Sequence, residues 1–532
     1  MKYQNFIKAI WALSLCCMVM SFSENPGSKK NPVRKVKPTQ KQQRPNVLFI
    51  PIDDLRPDTG CYGNKIIKTP NIDRLAKRGV VFNRAYCQQA VCNPSRASLL
   101  TGLRPDSTQV WDLKTDLRQK MPDVVTLPQI FKNNGYYTVG IGKAFHNDYP
   151  DAFSWNEDLH VDGFPFDPDA TYQLTDNLII QKEKELAILR SGKATFDKYG
   201  FIYVKANSTE KADVNDDAYY DGAQTSMAIR KLKELKQKEE PFFFSVGYYR
   251  PHLPFNAPKK YWDLYNPNDI PLARNQFVPK NAPDFALYGD EELRGYTDRA
   301  DLPSPWDPPY DVEKQRHLLH AYYASVSYTD AQIGRLLDAL DELGLSDNTI
   351  VVLWGDHGWK LGEHNSWGKQ SNYEIDTRVP LIISGAGVQA KGKKSNALTE
   401  FVDIYPTLCD MTGITIPDYL QGTSMKPLLT DPDRRWKTAA YSQYLMGRFG
   451  PKEKRKPEKM GYAIRTDKYR YVEWFEWNKE TSKPGAYLAR ELYDHTNDPD
   501  ENVNIAGEKA NKKLINQLSL QLKKGWRYSK PQ

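Results

Sequence analysis

The sequence predicts an α/β fold around a largely parallel sheet, and three observations predict it. Short, uninterrupted apolar runs at Asn46 to Ile52 (NVLFIPI), Pro241 to Tyr248 (PFFFSVGY) and Thr349 to Trp354 (TIVVLW) read as strands buried on both faces. Helical-period segments alternate with them, the clearest at Tyr322 to Leu343, where Val326, Ile333, Leu336, Leu337, Leu340 and Leu343 form one stripe. Polar residues follow the runs directly, as Asp53-Asp54 and Asp356-His357, at the strand ends where such sheets bind ligands.

In chain order, the strand at Asn46 to Ile52 comes first, with two carboxylates at its carboxyl end. Ile72 to Gly79 reads as a short helix stopped by its glycine. Ser95 to Thr101 reads as a helix ended by Gly102, with Pro94 suited to its first turn. Val124 to Asn134 is a further helix and Thr138 to Ile141 a strand. Val379 to Ser384 is the last strand of the large domain, which spans 46–434. The texture then changes. Short strands at Tyr441 to Tyr444, Tyr462 to Arg465, Tyr469 to Trp474 and Glu491 to Tyr493, then a helix at Asn511 to Trp526, make 435–532 a smaller α+β subdomain. Gly387 to Lys393 nearly matches a phosphate-binding loop, but Lys394 stands where Ser or Thr must hold magnesium, so it reads as a surface loop.

With 40% hydrophobic residues in 532, the chain has enough apolar mass for a large core. Its net charge of +8 points to no anionic partner for the folded part. Residues 1–45 hold nine Lys and Arg against one Glu, a surplus equal to the whole excess. A nucleic-acid-binding domain needs a basic face of its own, and none is visible. Lys2 and Lys8 precede the apolar run Ala9 to Phe22, and small residues follow. Residues 1–23 therefore read as a secretory signal peptide and 24–45, rich in Lys, Pro and Gln, as a disordered leader. That implies an exported protein, periplasmic or secreted, without an integral span once the signal is removed. Anchoring through Cys16 is the lesser alternative, since Leu15 stands where a small residue is wanted. Cys61, Cys87, Cys92 and Cys409 remain after processing, too few for a disulfide framework, although a Cys61–Cys87 bridge stays open.

Cys92 opens the stretch Cys-Asn-Pro-Ser-Arg. A buried structural cysteine is a poor account, because the flank is polar and reads as exposed. A phosphatase thiolate would need Arg six residues on, where Ser98 stands. The third reading is a cysteine converted after translation into an aldehyde. Cys92 to Arg96 followed by Thr101-Gly102 resembles the maturation signature of type I sulfatases. The remaining motifs of that family follow in order: Asp53-Asp54, Gly142-Lys143 with His146, Pro251-His252, Asp356-His357-Gly358 and Lys369. Stretches such as "QQAVCNPSR", "GYYRPHLPF" and "DHGWKLGEHNSWGK" resemble the iduronate-2-sulfatases within it.

The resemblance implies an alkaline-phosphatase-like fold and a formylglycine made from Cys92 by a maturation enzyme. Hydrating an aldehyde puts two hydroxyls on one carbon, one to attack sulfur and one whose collapse expels sulfate. The resemblance also implies Ca2+ held by Asp53, Asp54, Asp356, His357 and the modified Cys92; carboxylates suit this hard cation. Lys143 and Lys369 would clamp sulfate oxygens, Arg96 would hold the modified side chain, and His146 would take a proton during release. His252, with Lys369, would protonate the leaving sugar oxygen. His364 would support the site from behind. Trp111, Trp359 and Trp367 suit either a sugar-binding wall or the core. The implied substrate is a sulfated oligosaccharide or polysaccharide, with a terminal 2-O-sulfated uronic acid of heparan or dermatan type as the first choice. A sulfated algal polysaccharide, a phosphate or phosphonate ester, and non-catalytic glycan binding are the alternatives.

Overall fold

The computed structural model describes residues 44–532 except 148, 166–170, 448–456, 479 and 532. The expected signal peptide and all but the last two residues of the expected leader lie outside the described residues. Eight strands form the main sheet: β1 Asn46–Ile52, β2 Gly79–Phe82, β3 Tyr137–Gly142, β4 Glu157–Leu159, β5 Phe242–Gly247, β6 Thr349–Gly355, β7 Leu381–Gly385 and β8 Lys393–Ser395. Their order across the sheet is β8-β2-β7-β6-β1-β5-β3-β4. β7 runs antiparallel to both its neighbours, and the other adjacent pairs are parallel. The fold is thus the mixed, mostly parallel α/β sheet that the apolar runs predict.

Helices cover both faces. Leu48, Ile50 and Ile52 of β1 join the core beneath α2 (Tyr220–Leu235) and α3 (Val312–Glu342). Val47 and Phe49 alternate onto the opposite core, with Leu99 and Leu100 of α1 (Cys92–Thr101), Phe131 and Leu408. Neither face meets water, which is why the run is apolar at each successive position.

Element boundaries shift where side chains cap them. α3 starts at Val312, ten residues before the sequence expectation, because the Asp311 carboxylate accepts from the Glu313 and Lys314 amides. The helix expected over Val124 to Asn134 spans Leu127–Asn133, started by a Thr126/Gln129 capping box. The strand expected over Val379 to Ser384 is divided. Arg378 and Val379 pair with Tyr86 and Ala85 in a separate three-stranded sheet, and Pro380, which lacks an N–H, separates them from β7.

The C-terminal part is a four-stranded antiparallel sheet of β9 Ala440–Met446, β10 Lys459–Arg465, β11 Tyr469–Asn478 and β12 Lys483–Asp494, followed by α4 (Lys512–Lys524). Ile515 and Leu518 of α4 pack on Tyr441, Ile464, Tyr471 and Leu492. The sheet's other face sets Tyr444, Val472, Trp474 and Tyr493 against Tyr373 and Val91, the residue before Cys92. Cys61 and Cys87 are both free, so the open bridge is not formed. No described helix is long and apolar enough to cross a membrane.

Candidate active site

Strand register assembles the site. β1 and β6 are neighbours with Ile52 opposite Gly355, so Asp53-Asp54 and Asp356-His357 leave the sheet side by side. β5 and β3 lie next in order and deliver His252 and Lys143 from their own carboxyl ends. Asp54 adopts a left-handed φ of 58° that Asp tolerates better than branched residues. α3 holds this turn: the Tyr322 hydroxyl donates to the Asp54 carbonyl (2.9 Å) and accepts from the Arg56 amide (3.2 Å).

Cys92 begins α1, 2% exposed, with its Sγ 3.2 Å from His357 Nε2 and 3.4 Å from Lys369 Nζ. Its flank is buried, which corrects the expectation of an exposed Pro-Ser-Arg turn: Ser95 and Arg96 are both 0% exposed. Buried polar groups need partners, and these have them. The Ser95 hydroxyl donates to the Asp356 carbonyl (2.6 Å). Arg96 donates from Nε to Asp356 Oδ2 (2.9 Å) and from its terminal nitrogens to Asp53 Oδ1 (3.3 Å), to the Ala144 carbonyl (3.2 Å) and to the Lys143 carbonyl. Arg96 therefore braces the two strand-end carboxylates, and among the described residues its hydrogen bonds go to these and to two carbonyls rather than to Cys92.

Two lysines complete the charge balance. Lys143 pairs with Asp53. Lys369 donates to both oxygens of Asp54 (2.8 and 3.1 Å). Burial pushes the Asp53 carboxyl up, but Lys143, His252 and Arg96 outweigh it and hold Asp53 well below its ordinary range. Asp54 stays above its ordinary value, because burial and the neighbouring Asp53 charge exceed the pull of Lys369 and His252. Burial, then Asp53, holds the Cys92 thiol well above its ordinary value. An unconverted Cys92 is thus a protonated thiol at neutral pH and a weak nucleophile.

The three remaining histidines of the motifs differ. His252 donates from Nδ1 to the Leu253 carbonyl (2.7 Å) and sets Nε2 2.8 Å from Glu292 Oε1. With an acceptor at each nitrogen, the ring is built to hold a proton on both. His146 is half-buried, with its inaccessible Nδ1 unpartnered among the described residues; desolvation and then Lys143 pull it down to about 3. It stays neutral above that. His364 also has an unpartnered Nδ1, but it stacks on Tyr373 (4.7 Å) and supports that ring rather than the site. Trp111, Trp359 and Trp367 are 4%, 0% and 2% exposed, so the structure decides for the core over a sugar-binding wall.

Sequence reasoning missed Glu292. Its carboxylate reaches His252 (2.8 Å) and Lys369 (3.4 Å), and although burial raises it, Lys369 and His252 hold it well below its ordinary value. In the sequence it is one acid in Gly-Asp-Glu-Glu-Leu, indistinguishable from a solvated turn.

Two overlapping groups of side chains could hold a metal ion, with carboxylates as the hard oxygen donors. Ligand atoms of Asp53, Cys92, Asp356 and His357 lie within 4.8 Å of one another, and those of Asp53, Asp54, Cys92 and His252 form an overlapping group. His357 donates from Nδ1 to the Gly358 carbonyl (3.0 Å), which turns Nε2 toward the carboxylates of Asp54 (3.4 Å) and Asp356 (3.6 Å).

Comparison with known proteins agrees with this geometry. The family model for Sulfatase matches residues 45–414, and that for the N-sulphoglucosamine sulphohydrolase C-terminal region matches 362–527. The chain is 34% identical over 542 residues to iduronate 2-sulfatase of Mus musculus, covering 89% of this chain and 93% of the relative. Among solved structures it resembles BT4656 in complex with its substrate D-glucosamine-2-N,6-O-disulfate, with a TM-score of 0.66 and 25% identity over 91% of this chain and 99% of that one. A phosphonate monoester hydrolase of Agrobacterium radiobacter shares the fold, with a TM-score of 0.69 and 23% identity over 91% of this chain and 96% of that one.

Proposed function

Because the chain belongs to the sulfatase family and is a sulfuric ester hydrolase acting on glycan sulfates, we propose a specific activity for it: removal of the 2-O-sulfate from a terminal uronic acid of a glycan chain. We place the enzyme outside the cytoplasm, with formylglycine at position 92 and Ca2+ in the site. The observation that carries this reading is the convergence of three acids (Asp53, Asp54, Asp356) and three cations (Arg96, Lys143, Lys369) around one buried Cys92 at a helix start. The similarity to iduronate 2-sulfatase supports the choice of sugar.

Formylglycine, once made, supplies a hydrated aldehyde with a nucleophilic hydroxyl and a built-in route for sulfate release. Asp53, Asp54, Asp356 and His357 would hold the calcium, which would draw negative charge off the sulfuryl oxygens. The chain's own groups do the rest. Lys143 and Lys369 exchange their carboxylate partners for sulfate oxygens and fix the ester. Arg96 keeps Asp53 and Asp356 aligned through its fork. His252 gives the proton held at Nε2 to the departing sugar oxygen, and Glu292 orients its ring. His146, neutral at working pH, accepts a proton when sulfate leaves.

Mass spectrometry of the Cys92 peptide from native protein, followed by rates on defined 2-O-sulfated, 6-O-sulfated and algal oligosaccharides, tests the proposal. We expect the peptide to carry an aldehyde or its hydrate and the 2-O-sulfated uronate to be the fastest substrate. Full sulfate release by Cys92→Ala, or faster turnover of phosphonate or 6-O-sulfate esters, would overturn it.

A further inference from the structure

We propose an anion-binding exosite for the sulfated glycan chain, in the open groove of about 620 Å³ between the loops that follow β2 and β8, the 432–438 loop and α4. The proposal deepens the reading of the substrate as a sulfated glycan and rests on it. Five cations line the groove, Arg84, Arg434, Arg435, Lys437 and Lys468, against Asp433 and Asp467. The surplus is local, because residues 46–532 hold equal numbers of basic and acidic side chains. Two of the five cations already have partners. Arg84 donates to Asp467 (2.8 Å), and Lys437 donates to Glu400 (2.7 Å) and Asp403 (2.6 Å). Arg434 and Arg435 are exposed, and among the described residues their side chains form no hydrogen bond or ion pair. Lys468, exposed on the turn between β10 and β11, adds a third charge, whose field also reaches Asp494.

The loop that carries the arginine pair is anchored on both sides. The Ser395 hydroxyl donates to the Pro432 carbonyl (2.7 Å) before the pair, and the buried Lys437 ties the loop to Glu400 and Asp403 after it. Two exposed guanidinium groups on one anchored loop suit sulfate oxygens, because each fork can donate two parallel hydrogen bonds and stays charged at any working pH. Position favours the enzyme's own substrate as the anion. β8 and β2 run parallel to β6, so their carboxyl ends share the sheet edge that carries Asp356. β8 lies three strands from β6, roughly 15 Å to the side at about 4.8 Å per strand. A chain held by its sulfates in the groove keeps its end close to the catalytic residues, which raises the local concentration of the ester.

The test uses the full chain with Cys92→Ala, which removes turnover, and titration calorimetry with a sulfated dodecasaccharide whose terminal uronic acid is desulfated, so that the active site has no ester to hold. Arg434→Gln with Arg435→Gln is compared with Lys233→Gln and Lys236→Gln, which remove the same charge from the exposed end of α2, and thermal melts confirm folding. We expect the arginine pair to weaken binding about tenfold and the lysine pair to leave it within about twofold. In the otherwise unmodified enzyme, the arginine pair should raise KM for a long sulfated chain about tenfold while leaving kcat, and turnover of a small aryl sulfate, unaffected. Equal weakening by both pairs, no weakening by the arginine pair, or tighter binding of inorganic polyphosphate than of the glycan overturns the exosite but not the sulfatase reading. Turnover of aryl sulfate with none of any sulfated glycan would instead sink the glycan reading on which it rests.

Discussion

Replacing Arg96 by Lys keeps its charge and removes its shape, and so separates two explanations of the Ser95-Arg96 pair. Arg96 is 0% exposed, and its guanidinium reaches Asp356 at 2.9 Å, Asp53 at 3.3 Å and the Ala144 carbonyl at 3.2 Å, as well as the Lys143 carbonyl. A lysine ammonium has three donors on one atom and cannot span two carboxylates on neighbouring strands and two carbonyls beyond them. At least two contacts are lost, both charge-assisted because the donor is a guanidinium. At about 1.5 kcal/mol for a hydrogen bond to a charged group, the loss is about 3 kcal/mol. If that energy holds Asp53 and Asp356 in the reactive arrangement, kcat/KM falls about a hundredfold. The assay is initial sulfate release from a 2-O-sulfated uronate by Arg96→Lys, with circular dichroism to confirm the fold and mass spectrometry to confirm that residue 92 is still converted. A fully converted variant that keeps more than about a third of the wild-type kcat/KM would refute the reasoning, because charge alone would then suffice.

Three further outcomes follow from other parts of the structure. Glu400, held down to about 2 by Arg104 and Lys437 against the effect of burial, stabilises the fold above its ordinary value of 4.5 and loses that contribution as pH falls towards 2. Glu400→Gln should therefore cost roughly 3–5 kcal/mol at pH 7, and the gap to wild type in urea midpoint should narrow at pH 3.5. Chelating divalent cations should abolish sulfate release and lower the melting temperature, and Ca2+ should restore both better than Mg2+, which demands a tighter octahedral shell. Glu292→Gln, which removes the charged acceptor 2.8 Å from His252, should lower kcat about tenfold with little change in melting temperature; an unchanged kcat would show that the ring needs no such orientation.

Much of the site was legible because its parts are set locally. An apolar run must end where polar residues begin, so Asp53-Asp54 and Asp356-His357 could be placed at strand ends before any pairing was known. What no local pattern carries is the state of a side chain once its surroundings close. Pro94, Ser95 and Arg96 read as an exposed turn because their own composition is polar. Ser95 and Arg96 are buried because groups from distant strand ends meet them: the Asp356 carbonyl accepts from Ser95, and the carboxylates of Asp356 and Asp53 accept from Arg96. The early start of α3 was hidden for a related reason: its cap is a single Asp311, and its first turns show no apolar stripe.

The amino-acid sequence by itself determined the α/β class, the order of its elements and the chemical kinds gathered at the strand ends, since periodicity and residue type act over a few neighbours. Only the tertiary structure decided which charges face one another. It drew Glu292 from a loop onto His252 and Lys369, turned Arg96 into a brace between Asp53 and Asp356, and buried three tryptophans that could have lined a cleft. Those outcomes depend on strand order and register, which bring together residues more than two hundred positions apart, and electrostatic energy falls with distance in space rather than along the chain.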